Sequence, residues 1–482
     1  MHLVWSLPLL AVAVLIASGR TGPIGAGLCG VAITVAVAST TAPASMEMAD
    51  VLTASMKGLW LAWFVGAVIL GGLFFREVLS STGVEGEGAE PASAWLNRRR
   101  TFAACFLIGP FAEAATGFGV GQVTTIAILL RTGISPLNVV TLGLFSQVLV
   151  PWGAMANGTI VGAAFAGITP RELGVESAIL SVPLLSAWLV LFWRMAAAAG
   201  LENNVRHMLA DLAWMAAALL LLIAANQRLG PEIAGMAALG PLVALQFWRD
   251  ERPDEGRWKS ALGVALPYTA LIAGLAASRA VPALNAWLAQ VAAIQPFTDA
   301  TTWYPALHPG SWLVAVGLIA ACVSGRIGAI AGAARTTWSR GRKAILTIAI
   351  YLVMARIMAD SGMAGALAAG LGQALGPYAV VSTPWLAGAF GFLAGSGNAS
   401  NGLLMAAQAG IAAQSGLPLV QVAAIQNTAA AALTMLSPVR VAMGCALARQ
   451  TDLEHAVYRR AWPLGAAPLL LLSMVAALLV LG

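Results

Sequence analysis

The chain has 482 residues, 59% of them hydrophobic and only 10% charged, with a formal net charge of +6. Soluble domains carry about 25% charged residues, so a chain this long cannot clothe a water-facing surface and must have lipid as its main solvent. The surplus of Lys and Arg fits the positive-inside rule, which keeps basic residues in cytoplasmic loops, and excludes the need for a nucleic-acid partner.

Apolar runs at 3–17, 58–75, 177–193, 260–277 and 464–481 are of the length that crosses the hydrocarbon core as a helix. They do not alternate apolar and polar, as strands of a membrane barrel would. The first run has no Lys or Arg before it, so it reads as a span and not as a signal peptide, whose start is basic. Three early spans lead to an acidic, Gly-containing loop near 80–92. A second group of segments fills 101–247, and the charged stretch 248–259 divides the chain near its middle. A third group runs to the end, interrupted by a polar outer loop at 295–310. Sixteen of the 26 Lys and Arg lie in 76–100, 249–259, 326–343 and 449–460. Those stretches are expected in the cytoplasm, which puts the N-terminus outside. Cys29, Cys105, Cys322 and Cys445 form no CxxC pair and read as packed hydrophobes. His2, His207, His308 and His455 show no metal-ligand spacing. The expectation is an all-α polytopic integral membrane protein of 12–14 membrane segments, without metal or cofactor. Its units are 1–100 (N-terminal spans and a cytoplasmic loop), 101–247 and 248–482 (two repeat halves).

The repeat is weak but has a fixed offset. Glu113-Ala-Ala-Thr-Gly-Phe-Gly119 and Ser396-Gly-Asn-Ala-Ser-Asn-Gly402 are both small, Gly-rich breaks inside apolar runs. Further on, Thr132-Gly-Ile-Ser-Pro-Leu137 answers Ser415-Gly-Leu-Pro-Leu419, and helices with buried amides follow: Gln147 in one, Gln426 and Asn427 in the other. In lipid, a break in a helix is tolerated only where protein or a wet cavity satisfies the freed backbone groups. Paired broken helices in corresponding halves point to a transporter's binding site, where half-helix N-termini present N–H groups to an anion.

Within these breaks lie the candidate site residues. Glu113 stands apart from every charge cluster, and an intramembrane carboxylate marks an ion or proton pathway. Ser396, Asn398, Ser400 and Asn401 offer oxygens and amides beside free backbone groups; such a set can hold a carboxylate or coordinate Na⁺. Arg440, after Leu-Ser-Pro-Val, is either an anion clamp, since guanidinium binds carboxylate in two-point fashion, or a residue snorkelling to the interface. Arg356 and Asp360 share a helix face and are read as an intrahelical pair, with Arg356 facing substrate as the alternative. Gly117 and Gly119 shape the first break.

Phe111-Ala-Glu113-Ala-Ala-Thr-Gly117-Phe118-Gly119 resembles the Phe-Leu-Glu-Gly-Ala-Ala-Gly-Phe-Gly motif of the L-lactate permease family. Trp152-Gly-Ala-Met155 is similar to its Phe-Gly-Ala-Met. Gly395-Ser-Gly-Asn-Ala-Ser400-Asn401 is similar to its Gly-Ser-Asp-Thr-Ser-Ser-Asn, and Gln408, Thr428, Met435, Ser437 and Pro438 also match. The agreement covers 101–156 and about 350 to the end. The resemblance implies a bacterial inner-membrane permease for lactate or glycolate with protons, and an ion-transporter fold of inverted repeats and re-entrant hairpins in which Glu113 and the Ser396–Asn401 break face one another. Gln408 joins the substrate-binding set on that basis. Ala114, Gly397, Arg356 and Arg440 depart from the family pattern; a lost carboxylate and gained arginines suggest a dicarboxylate or sulfonate. The expected function is proton-coupled symport of a small organic anion, with Glu113 and Asp360 as coupling groups. Na⁺ coupling and an anion channel are the alternatives, and no enzyme activity is expected. Expected partners are the anion, a proton or Na⁺, membrane lipid and a second copy in a homodimer.

Overall fold

The computed structural model describes residues 1–81, 94–117, 119–251, 255–298 and 300–481. Most of the expected acidic loop near 80–92 therefore lies outside the described residues, as does Phe118. The chain opens with α1 (His2–Ala17), α2 (Pro23–Thr40) and α3 (Met48–Ser81). Then come α4 (Ala94–Ala103), a π-helical turn (Ala104–Ile108), α5 (Gly109–Thr116), α6 (Val120–Leu129), α7 (Pro136–Gly143) and α8 (Gly153–Ala166). Longer helices follow: α9 (Pro170–Ala198), α10 (Val205–Leu229), α11 (Pro231–Glu251) and α12 (Glu255–Ala280). After α13 (Pro282–Val291) and α14 (Pro309–Val323) come α15 (Ile330–Asp360), α16 (Met363–Leu375) and α17 (Thr383–Ala394). The last are α18 (Gly397–Ser415), α19 (Leu419–Thr434), α20 (Pro438–Leu447) and α21 (Glu454–Leu481).

The sequence sets these ends locally. Proline in the first turn of α2, α7, α9, α14 and α20 sits where a missing N–H costs nothing. Thr169 and Glu172 form a capping box at the start of α9. Gly167 and Gly416 end α8 and α18 in the left-handed conformation. Eight described helices are long and apolar enough to cross a membrane, or nine if the bent pair Pro136–Gln147 and Val150–Ala166 counts as one. Three shorter apolar helices, His2–Ala17, Val120–Thr132 and Pro309–Val323, accompany them. The protein is an all-α polytopic membrane protein, and the expected 12–14 segments included such short and broken pieces.

α3 lies along α15 and α14, α17 along α19, and α18 among α8, α16 and α19. Without water between helices, small residues bring backbones together: a Cβ on Gly391 of α17 would sit 2.1 Å from the Ala430 carbonyl of α19. The largest apolar cluster joins both halves of the chain, with Phe106, Phe145 and Phe192 beside Ile425 and Leu464. Opposed to the long helices, the polar segment after α13 folds back on itself. Ile294 and Trp303 form a β-bridge, and Trp60 of α3 donates to the Thr301 carbonyl at 2.9 Å.

Candidate functional site

Helix α5 stops at Gly117 (φ +71°), and Gly119 (φ +85°) opens α6. The last turn of α5 aims Glu113 at that N-terminus. The Gly119 N–H donates to both carboxylate oxygens (3.2 and 3.1 Å) and the Gly121 N–H donates to Oε2 at 3.0 Å. Free N–H groups and the positive end of the α6 dipole thus meet a negative charge. Arg440 Nη2 donates to Glu113 Oε1 at 3.1 Å, with the side chains only 11% and 4% exposed. Its other terminal nitrogen, Nη1, is buried without a protein partner. Gly119 suits its positive φ, and a Cβ there would lie 2.6 Å from that nitrogen and displace the Arg440 side chain. Gln122 Nε2 donates to the Arg440 carbonyl at 2.9 Å, and Ser437 caps the helix that carries Arg440.

Three further interruptions lie nearby. Between α7 and α8 the chain bends by 59°, and Ala154, Met155 and Ala156 all take left-handed angles (φ 48°, 54° and 59°). Thr159 Oγ1 donates to the Pro151 carbonyl that this break frees. Gly395 (φ +61°) and Ser396 separate α17 from α18, and the Ser396 side chain accepts the Ala399 N–H. Residues 435–437 separate α19 from α20. The four breaks touch in a closed ring. Gly117 abuts Ala154, Gly158 abuts Asn398, Gly395 abuts Ser437, and Glu113 pairs with Arg440. Each half of the chain supplies two breaks, and Ala154 and Ser437 are separated by the same 283 residues as Glu113 and Ser396.

A family model described as L-lactate permease matches residues 266–481. The L-lactate permease of Salmonella typhimurium is 26% identical over 484 aligned residues, covering 89% of this chain and 86% of the relative. That of Escherichia coli K12 is 25% identical with the same coverage. The chain is similar to the L-lactate permeases over most of its length. The similarity reaches well beyond the two motif regions, into the middle of the chain. The relatives are named permeases, and this chain is a multi-pass bacterial inner-membrane protein.

The structure distributes the candidate residues unevenly around the ring. Asn398 Oδ1 is buried without a protein partner. Asn401 Nδ2 donates to the Gly158 carbonyl (2.9 Å) and to Asn427 Oδ1 (2.8 Å), while its own oxygen is unpaired. Ser400 turns away, donating to the Ala387 carbonyl at 2.9 Å. Gln408 accepts from Thr383 at 2.6 Å and ties α18 to α17. Gly119 keeps its N–H on Glu113, and the Gly117 N–H closes a backbone bond to the Glu113 carbonyl at 2.7 Å. Arg440 does not snorkel. Arg356 and Asp360 pair at 3.0 Å, 28% and 25% exposed, at the end of α15. That helix packs on α2, α3 and α18, none of which carries Glu113 or Arg440. Sequence reading noted Asn427 but not its partners, Thr159 (3.1 Å) and Ser177 (2.9 Å), to which it donates; it passed over Asn157 and Gln122. Polar amides recurring in apolar runs were the available signal.

Proposed function

We propose that this protein takes up lactate, or a monocarboxylate of similar size, together with a proton. The observation that carries the reading is the buried Glu113–Arg440 pair at one joint of the ring, with Arg440 Nη1 unengaged by protein. When a proton binds a Glu113 oxygen, the carboxyl loses its charge and releases the guanidinium. Arg440 then offers its planar fork to the substrate carboxylate in a two-point contact. The relatives' printed name supports lactate as that substrate. Half-loaded states are disfavoured: a proton without an anion leaves the guanidinium unpaired, at a cost of about 3–5 kcal/mol. An anion without a proton sets two carboxylates on one guanidinium. That mutual exclusion couples the two fluxes.

The arginines that suggested a doubly charged anion are each balanced by a carboxylate, which favours a single negative charge. Na⁺ coupling draws on the unpaired oxygens of Asn398 and Asn401, but the positive dipole end of α18 opposes a cation there.

Proteoliposomes with an imposed pH difference test the proposal. Glu113→Gln should abolish lactate accumulation while leaving lactate–lactate exchange. Arg440→Lys should weaken lactate binding roughly tenfold or more, because an ammonium replaces the fork with a single point charge. Normal accumulation by Glu113→Gln, or uptake that needs Na⁺ at constant pH, would sink it.

A further inference from the structure

A second charged cluster lies where α4, the start of α10 and the end of α11 meet. It encloses a cavity of about 160 Å³. Arg98, only 1% exposed, pairs with Asp211 at 2.5 Å and Arg99 pairs with Asp250. Arg249 Nε also contacts Asp250, at 3.1 Å, and its guanidinium lies 5.0 Å from the centroid of the Trp214 ring. Among the described residues that line the cavity are three guanidiniums and two carboxylates. Two lining residues also hold buried polar atoms that no protein group engages: Arg98 Nε and His207 Nδ1. The Arg98 guanidinium lies 4.8 Å over the Phe192 ring, and its Nε keeps a hydrogen-bonding position that an anionic oxygen would fill.

The cavity's level in the molecule says what would supply that oxygen. Trp193 donates to Asp211 at 3.0 Å, Trp248 is 58% exposed, and Trp258 packs edge-on against Phe247. With Trp214 they cluster at one end of the helices, as tryptophans do at the headgroup level of a bilayer. Arg98, Arg99 and Arg249, from stretches expected in the cytoplasm, line the cavity at this same end. Basic pockets between helices on that side bind anionic headgroups. We propose that this cavity holds the phosphate of an anionic phospholipid of the inner leaflet. The oxygens of a phosphodiester suit the arginine forks. Because α4 runs through a π-helical turn into α5, the lipid anchors the arm that bears Glu113. The inference is independent of the transport reading.

The test is purified protein in nanodiscs of phosphatidylglycerol or phosphatidylcholine, read by thermal unfolding and by native mass spectrometry of retained lipid. Phosphatidylglycerol should raise the unfolding temperature and stay bound to the wild type and to Arg459→Gln, an equal charge change elsewhere. Arg249→Gln should hold it roughly tenfold more weakly, as for one charged hydrogen bond lost. A photoactivatable phosphatidylglycerol on the wild type should label 205–214 or 246–251, an arm that needs no variant to fold. Equal behaviour of the two lipids, equal loss in both variants, or labelling confined elsewhere overturns the site. Stabilisation by inorganic phosphate in phosphatidylcholine discs, matching that of phosphatidylglycerol, overturns the lipid as occupant.

Discussion

Glu113 and Arg440 meet across 327 residues of chain. Glu113 was legible alone as a single carboxylate between long apolar runs, whether for an ion pathway or as a structural group bonded to nearby N–H groups. Its partner was not: the sequence left Arg440 divided between clamp and snorkel, since nothing local says which way a side chain at a helix start will turn. Only the packing of α20 against α6 decides it. Arg356 and Asp360 were legible for the opposite reason, as an i,i+4 spacing is local. Their pairing predicts that Arg356→Ala impairs the protein by orphaning a partly buried carboxylate. Adding Asp360→Ala should restore most of the lost thermal stability and uptake. A substrate contact at Arg356 would show no such rescue of uptake.

Broken helices set the geometry of the site. The breaks at 117–119 and 395–396 were readable because glycine, serine and asparagine interrupt apolar runs there. The break at Ala154–Ala156 was not, since alanine and methionine carry no turn signal and three consecutive left-handed residues are strained. Tertiary packing imposes that turn: Met155 is fully buried in a cluster with Ala114, Ala115 and Ile233. The two breaks are so tightly fitted that Gly117→Ala should be damaging twice over. Its φ is +71° and its Cβ would lie 2.4 Å from that of Ala154. We expect a loss of roughly 2–4 kcal/mol, combining backbone strain and overpacking, visible as a lower unfolding temperature and loss of uptake. Gly133→Ala carries comparable strain (φ +77°) but no neighbour within 4 Å, and should cost only the backbone part.

For the whole molecule, the all-α polytopic class followed from composition together with the length and non-alternating pattern of the apolar runs, whereas the division into halves rested on a 283-residue offset. The side of each loop rests on the Lys and Arg bias, and Thr298 tests it. It is exposed in the segment after α13, so Thr298→Cys should react with an impermeant thiol reagent in intact cells once the native cysteines are replaced. Labelling only after permeabilisation would reverse the topology. The opposition of Glu113 and Arg440 also has an electrical consequence. Unloaded, the pair carries one negative and one positive charge. Loaded as proposed, it holds a neutral acid, the same cation and one anion. Both forms that must reorient are neutral. A charge carried across 100 mV is worth about 2.3 kcal/mol, yet neither half of this cycle would draw on it or work against it. Accumulation would then follow the pH difference alone. A potassium diffusion potential set with valinomycin, at fixed pH difference, should leave the initial rate of lactate uptake unchanged. A divalent anion in the same seat would make the loaded carrier negative, and an inside-negative potential would hold it back.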